Sequence, residues 1–269
     1  GNDILYGRGG NNSLIGGAGD DYYDILNGSD QILELTGEGN DTVSSWAFSY
    51  TLSTNLEQLI LAPSPYVAQG IGNETDNTIS GNQFDNTLDG KGGNDILTGN
   101  KGNDCLIGGD GNDILDQGNT GQGDGDDTLI GGKGNDALYG KGGINSLIGG
   151  EGDDYYEILN SSDQILELAG EGNDTVYSWA FSYTLATNLE QLILGQSSYV
   201  QQGYGNSLGN TIIGNSHDNT IDGAIGDDSL IGNSGNDCLL GGDGNDILDQ
   251  GDTGQGDGDD TLIGGKGND

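Results

Sequence analysis

A nine-residue beat constrains this chain more than any other feature. Gly108-Gly109-Asp110-Gly111-Asn112-Asp113-Ile114-Leu115-Asp116 reads as Gly-Gly-x-Gly-x-Asp-x-Leu-x. The pattern is complete again at Gly131 to Tyr139 and at Gly241 to Asp249. It recurs at Gly99 to Ile107 with Asn100 in place of the second Gly. The first six residues are turn chemistry: Gly supplies positive φ at no steric cost, and Asp and Asn tolerate tight turns. The remaining x-Leu-x reads as a three-residue strand, with Leu on one face and its neighbours on the other. Two nonads then make an 18-residue coil with two short parallel strands facing across a thin apolar row. A lone coil buries almost nothing, whereas stacked coils bury the row continuously. The fold class this predicts is all-β, a parallel β-roll or β-helix solenoid with two strands per coil.

Composition tests that reading against disorder. The chain is only 31% hydrophobic, and 44 acidic residues face 6 basic ones for a net charge of −38. That profile is usual for disordered chains, but disorder needs no register and this chain keeps one. Bound cations resolve the conflict; about 19 divalent ions would neutralise the chain, which sets a ceiling. The charge excludes nucleic acid as a partner and argues against anionic membrane surfaces. No apolar run is long enough for membrane insertion.

A second period lies above the first. Trp46 and Trp179, and Cys105 and Cys238, are each 133 residues apart, and 1–133 aligns on 134–266 without a gap, with 104 identical positions. The predicted organisation is superrepeat 1 at 1–133, superrepeat 2 at 134–266 and the start of a third at 267–269, in one continuous solenoid. Both ends fall inside a motif, which suggests a window of a longer array. Each superrepeat holds fourteen nonads, about seven coils, plus insertions of two residues before Val43 and five within Gln117 to Gly125. The predicted core positions in the regular nonads are Leu97, Leu106, Leu115, Leu129, Leu138, Leu230, Leu239, Leu248 and Leu262. Between Tyr22 and Ile71 (counterpart Tyr155 to Tyr204) the turns lose Gly. Trp46, Phe48, Tyr50 and Leu52 alternate there with small residues, predicting longer strands, a thicker apolar core and fewer ions.

Calcium takes six to eight oxygens, mixing carboxylates with backbone carbonyls. A Gly-rich turn supplies carbonyls, and its final Asp a carboxylate. In a two-nonad coil each turn lies over the next but one. The predicted sites therefore pair Asp95 with Asp113, Asp104 with Asp127, Asp113 with Asp136, Asp228 with Asp246 and Asp237 with Asp260. Asp3 with Asp21 and Asp136 with Asp154 are further pairs. Asp269, Gly108, Asp110, Gly241 and Asp243 complete the predicted set. Turns ending in Asn12, Asn77, Asn86, Asn145, Asn210 or Asn219 lack the charge and should bind weakly or not at all. No Cys/His cluster offers a zinc site, and no Glu closes an EF-hand loop.

The motif Gly-Gly-x-Gly-x-Asp-x-Leu-x resembles the RTX, or haemolysin-type, calcium repeat, well over about half the chain and in degenerate form elsewhere. The stretch from Gly39 to Glu57 resembles the spacers between such repeats. The resemblance implies a right-handed β-roll with calcium between successive turns. It also implies a bacterial, exported, extracellular protein that folds on meeting calcium. The 133-residue superrepeat departs from the toxins and proteases of the family.

Other features read structurally. His217 has Phe84 as its counterpart, so no site shared by the two superrepeats depends on it. Cys105 and Cys238 precede core Leu residues and should face outward as free thiols. Trp46 and Trp179 fit a core better than a sugar platform. Asn-x-Ser/Thr matches such as Asn27-Gly28-Ser29, Asn40-Asp41-Thr42 and Asn73-Glu74-Thr75 are near chance in so Asn-rich a chain. No nucleophile–base pair, catalytic carboxylate pair or phosphate loop stands out, so no enzyme activity is expected. Seven whole coils per superrepeat would return corresponding residues to one face every ~34 Å. That suits self-association of a rigid rod into a surface fibre or surface layer, with extracellular polysaccharide as a further partner. The alternatives are the stalk of an adhesin and the secretion and folding module of an exported hydrolase or toxin. Ice binding would need an outward Thr file that Lys101, Asp110 and Lys133 interrupt.

Overall fold

A computed structural model describes residues 1–118, 125–251 and 258–269. Most of the insertion predicted within Gln117 to Gly125 lies outside the described residues. The chain divides into two compact units, Gly1–Glu151 and Gly152–Asp269. Both are all-β among the described residues, with parallel strands stacked as solenoid coils.

In the first unit one sheet runs through Ile4–Gly7, Tyr22–Ile25, Thr42–Ser45, Gln58–Leu61, Thr78–Ser80, Ile96–Asn100, Ile114–Gly118 and Ala137–Gly140 in that order. A second runs through Ser49–Thr51, Gln69–Ile71, Thr87–Gly92, Cys105–Asp110, Thr128–Lys133 and Ser146–Glu151, and Ser13–Leu14 pairs with Gln31–Ile32. In the second unit one sheet holds Tyr155–Ile158, Thr175–Ser178, Gln191–Leu194, Thr211–Ile213, Ser229–Ile231 and Ile247–Asp249. Its other sheet holds Ser182–Thr184, Gln202–Tyr204, Thr220–Ile225, Cys238–Asp243 and Thr261–Lys266. The regular register is 18 residues, placing Leu88 beside Leu106 and Leu97 beside Leu115. Leu106 lies beside Leu129 at a step of 23, so the five-residue insertion leaves the ladder in phase.

Side-chain alternation explains how so few apolar residues suffice. Leu97, Leu106, Leu115, Leu129, Leu138, Leu230 and Leu239 are fully buried. Leu248 is half-buried and Leu262 is 44% exposed, contrary to expectation. Their strands have a neighbour on one side only, and a solenoid core is closed by the next coil. Cys105 and Cys238 are half-exposed free thiols.

Strand length and phase differ from the sequence reading. The longest strands belong to regular nonads, such as Cys105–Asp110, because the ladder continues through Gly-Gly-x into the next turn. The spacer strands are shorter, at two to four residues. There the ladder places Leu59 beside Val43 and Tyr50 beside Gly70, so Tyr50 and Leu59 continue the core row, with Leu52 and Leu61 buried as well. Trp46 and Phe48 are exposed while Ala47 is buried. A bend after Thr42–Ser45 resets the alternation, so the tryptophans are not core residues. The Trp46 indole instead donates to Asp24 (3.1 Å) and the Trp179 indole to Glu157 (2.9 Å).

The second nonad position needs a left-handed backbone: Gly109, Gly132 and Gly242 have φ between +115° and +124°. Ala224 holds the same position at φ +72°. An L-residue there costs roughly 1–2 kcal/mol, partly offset by the extra chain entropy of Gly. Ala224→Gly should therefore stabilise the calcium-loaded protein by about 0.5–1 kcal/mol, measured as a raised denaturant midpoint; a lowered midpoint would contradict the strain argument.

Candidate calcium centres

The strand period carries the turn's Asp inward as well as the Leu. Asp104, Leu106 and Gly108 face the interior in succession. Asp95, Asp104, Asp113, Asp127 and Asp136 are buried in the first unit, and Asp154, Asp228, Asp237 and Asp246 in the second. Successive carboxylates stack. The Asp95 N–H donates to Asp113 Oδ1, that of Asp104 to Asp127 Oδ1 and that of Asp113 to Asp136 Oδ1, each at 2.7 Å. The Asp3 N–H reaches Asp21 at 2.6 Å. In the second unit the same bond joins Asp228 to Asp246 (3.0 Å), Asp237 to Asp260 (2.8 Å) and Asp246 to Asp269 (3.2 Å). Asp136 and Asp154 belong to different units.

Those bonds occupy one oxygen per carboxylate. Oδ2 of Asp21, Asp95, Asp104, Asp113, Asp228, Asp237 and Asp246 is buried and receives no hydrogen bond. Leaving a buried polar atom unmatched costs about 1–3 kcal/mol, and more if charged. The first Gly of the motif makes the room. A Cβ on Gly108 would strike Asp113 Oδ2 and lie 2.7 Å from the Gly131 carbonyl oxygen. At Gly223 it would strike Asp228 Oδ2 and lie 2.8 Å from the Gly241 carbonyl. At Gly241 it would strike Asp246 Oδ2 and the Gly264 carbonyl oxygen. A carboxylate oxygen of one turn and a carbonyl of the next coil thus converge where there is no side chain. This is a hard-oxygen donor set suited to calcium.

The Asn turns show what the Asp turns lack. Asn77 Oδ1 accepts from the Asn73 N–H at 2.7 Å, and its Nδ2 donates to the Leu56 carbonyl at 3.1 Å. Asn86 is satisfied likewise by Asn82 and Val67, and Asn210 by Asn206 and Leu189. The amide donates to a carbonyl and needs no ion. At the same position an ionised Asp has an oxygen but no proton to donate, so a cation there would fill the role that Nδ2 fills in Asn.

Proton affinity reports the same deficit. Burial, only partly opposed by the N–H of the preceding turn, pushes Asp95, Asp104 and Asp136 up to about 7. Asp228 rises to about 6 for the same reason, and Asp113 and Asp237 also rise. Neighbouring carboxylates add to the rise at most of these sites.

Three groups of residues depart from the prediction. Asp110 and Asp243 face solvent, since the strand period turns the third motif position outward. They pair with Lys133 and Lys266 of the next coil. Asp3, Asp260 and Asp269 lie in outermost coils and are less buried than their stacked partners. Buried Asp30, Glu34 and Asp41, with their counterparts Asp163, Glu167 and Asp174, were not predicted. The legible signal was Glu34, two residues after the core residue Ile32, where regular turns carry their first Gly.

The model of the RTX calcium-binding nonapeptide repeat matches residues 1–32, 71–104, 80–115, 123–156, 204–239, 213–248 and 256–269, more than half of the chain. The chain belongs to this family. Such repeats bind several calcium ions, and the stacked carboxylates and carbonyls are the residues that would hold them. The chain is also similar to endo-1,3-1,4-beta-glycanase ExsH of Rhizobium meliloti (strain 1021), 44% identical over 82 residues. It is 36% identical over 88 residues to endo-1,3-1,4-beta-glycanase EglC of the same organism. The matched stretches cover about 30% of this chain and less than a fifth of either relative.

Two outcomes follow. Asp113→Asn supplies the missing donor, so it should lower calcium stoichiometry by at least one ion in calorimetry. It should also stabilise the calcium-free state by about 1–3 kcal/mol; unchanged stoichiometry would contradict the assignment. Raised carboxyl pKa values mean that the calcium-free folded state binds protons more tightly than the unfolded chain. Its stability should be greatest near pH 4 and fall as pH rises through about 7. In chelator the urea midpoint should be higher at pH 5 than at pH 8, and calcium affinity should change in the opposite direction.

Proposed function

We propose that this is an extracellular structural calcium-binding protein whose repeats self-associate into a surface fibre or surface layer. RTX-repeat proteins are generally secreted. The observation that carries the reading is the 133-residue superrepeat, which duplicates surface features along with the roll. Trp46, Phe48 and Tyr66 are exposed in the first unit, and Phe181 and Tyr199, at equivalent positions, in the second. Phe181 and Tyr199 pack with ring centroids 5.6 Å apart. Large exposed apolar side chains that recur at equivalent positions, and that pack on one another as Phe181 and Tyr199 do, fit contact sites better than singly scattered ones. They suit another copy of the chain, or an extracellular polysaccharide whose sugar faces stack on rings.

The similarity to two glycanases supports a second reading, a calcium-dependent module of an exported hydrolase. Sedimentation velocity with electron microscopy, with and without calcium, separates the two. The structural reading predicts calcium-dependent assemblies, weakened at least tenfold when Trp46, Phe48, Trp179 and Phe181 are replaced by Ala. A protein that stays monomeric at every calcium and protein concentration would contradict it.

A further inference from the structure

The spacer segment holds a carboxylate cluster unlike the nonapeptide turns. Asp21 and Asp41 stack as such turns do, the Asp21 N–H donating to Asp41 Oδ1 at 2.8 Å. Glu34 adds a third carboxylate from the turn that follows the strand Gln31–Ile32. Asp30, Ile32 and Glu34 face inward in succession, just as Asp104, Leu106 and Gly108 do, so a Glu fills the slot where the regular motif has its first Gly. The three side chains are buried, and one oxygen from each lies within 4.8 Å of the others. Glu34 Oε1 accepts from the Tyr23 hydroxyl and from the Gly16 N–H (3.2 Å). Glu34 Oε2 and Asp21 Oδ2 are buried and receive no hydrogen bond. No ion pair among the described residues includes any of the three. Glu34 and Asp41 lie outside the stretches matched by the nonapeptide family.

We propose that Asp21, Glu34 and Asp41 form a calcium site of a second type, with three carboxylates around one ion. Asp154, Glu167 and Asp174 form its copy in the second unit. Three buried like charges repel one another and lack solvent. A divalent cation supplies the missing partner for the two orphan oxygens, and oxygen-only donors select calcium over zinc. The extra carboxylate makes the site more negative than a nonapeptide turn, so a trivalent lanthanide should bind it in preference to those turns. Tyr23, bonded to Glu34, stands where it can transfer excitation to bound terbium, as does Tyr156, bonded to Glu167.

The test compares calcium stoichiometry by equilibrium dialysis in the full chain, in Glu34→Gln/Glu167→Gln and in Asp113→Asn/Asp246→Asn. The proposal predicts two ions lost, or bound at least tenfold more weakly, in the Glu variant. If the Glu variant binds as wild type while the Asp variant loses ions, the second site type is overturned and the nonapeptide assignment stands. If the wild type binds no calcium, both fail. Tyrosine-excited terbium emission provides a readout that does not require the Glu variant to fold. Emission from the first terbium equivalents should fall at least severalfold in Tyr23→Phe/Tyr156→Phe, and unchanged emission would overturn the proposal.

Discussion

A buried carboxylate oxygen with no donor, repeated coil after coil, is the interaction on which the rest of the structure depends. Asp95, Asp104 and Asp113 each use Oδ1 to accept the N–H of a neighbouring coil and leave Oδ2 facing inward. The arrangement registers the coils, because the same carboxylate that offers Oδ2 to the interior also fixes its neighbour's backbone through Oδ1. It also explains the small core. One Leu per nonad buries little, so hydrophobic burial alone falls short against chain entropy. Ion binding would stabilise the folded state selectively, since the unfolded chain has no preformed site.

Glycine at the first motif position serves this interaction as much as it serves the turn. Gly108 and Gly223 lack the Cβ that would displace the carboxylate. Where Glu34 occupies that slot, its own carboxylate joins those of Asp21 and Asp41. Asn77 and Asn86 show a third solution, in which the amide satisfies itself without a cation. One backbone thus accommodates three chemistries at equivalent positions. Asn77 and Asn86 are followed by Asp95, Asp104 and Asp113, so self-satisfied turns and turns suited to a cation fall in separate runs of the chain.

Much of this was legible in the sequence. The nine-residue period gave the coil length, the core Leu residues and the stacked Asp pairs, because in-register parallel coils admit one pairing. The five-residue insertion could be placed because the motif resumes cleanly at Asp127. Legibility failed where the period failed. Trp46 and Phe48 follow a two-residue alternation, but a bend at 47–48 restarts the phase and leaves them exposed. Asp110 and Asp243 share the motif of the buried Asp residues, but strand parity turns the third position outward. Glu34 and Asp41 are separated by an irregular turn, and only the folded coil brings them to Asp21.

The measurement that bears most directly on this account is far-ultraviolet circular dichroism of the chain during calcium chelation and restoration at pH 8. At that pH the stacked carboxylates have lost their protons. The β signal should collapse toward that of an expanded chain as calcium is removed, and return cooperatively as it is restored. A β signal unchanged after complete removal of calcium would contradict the account.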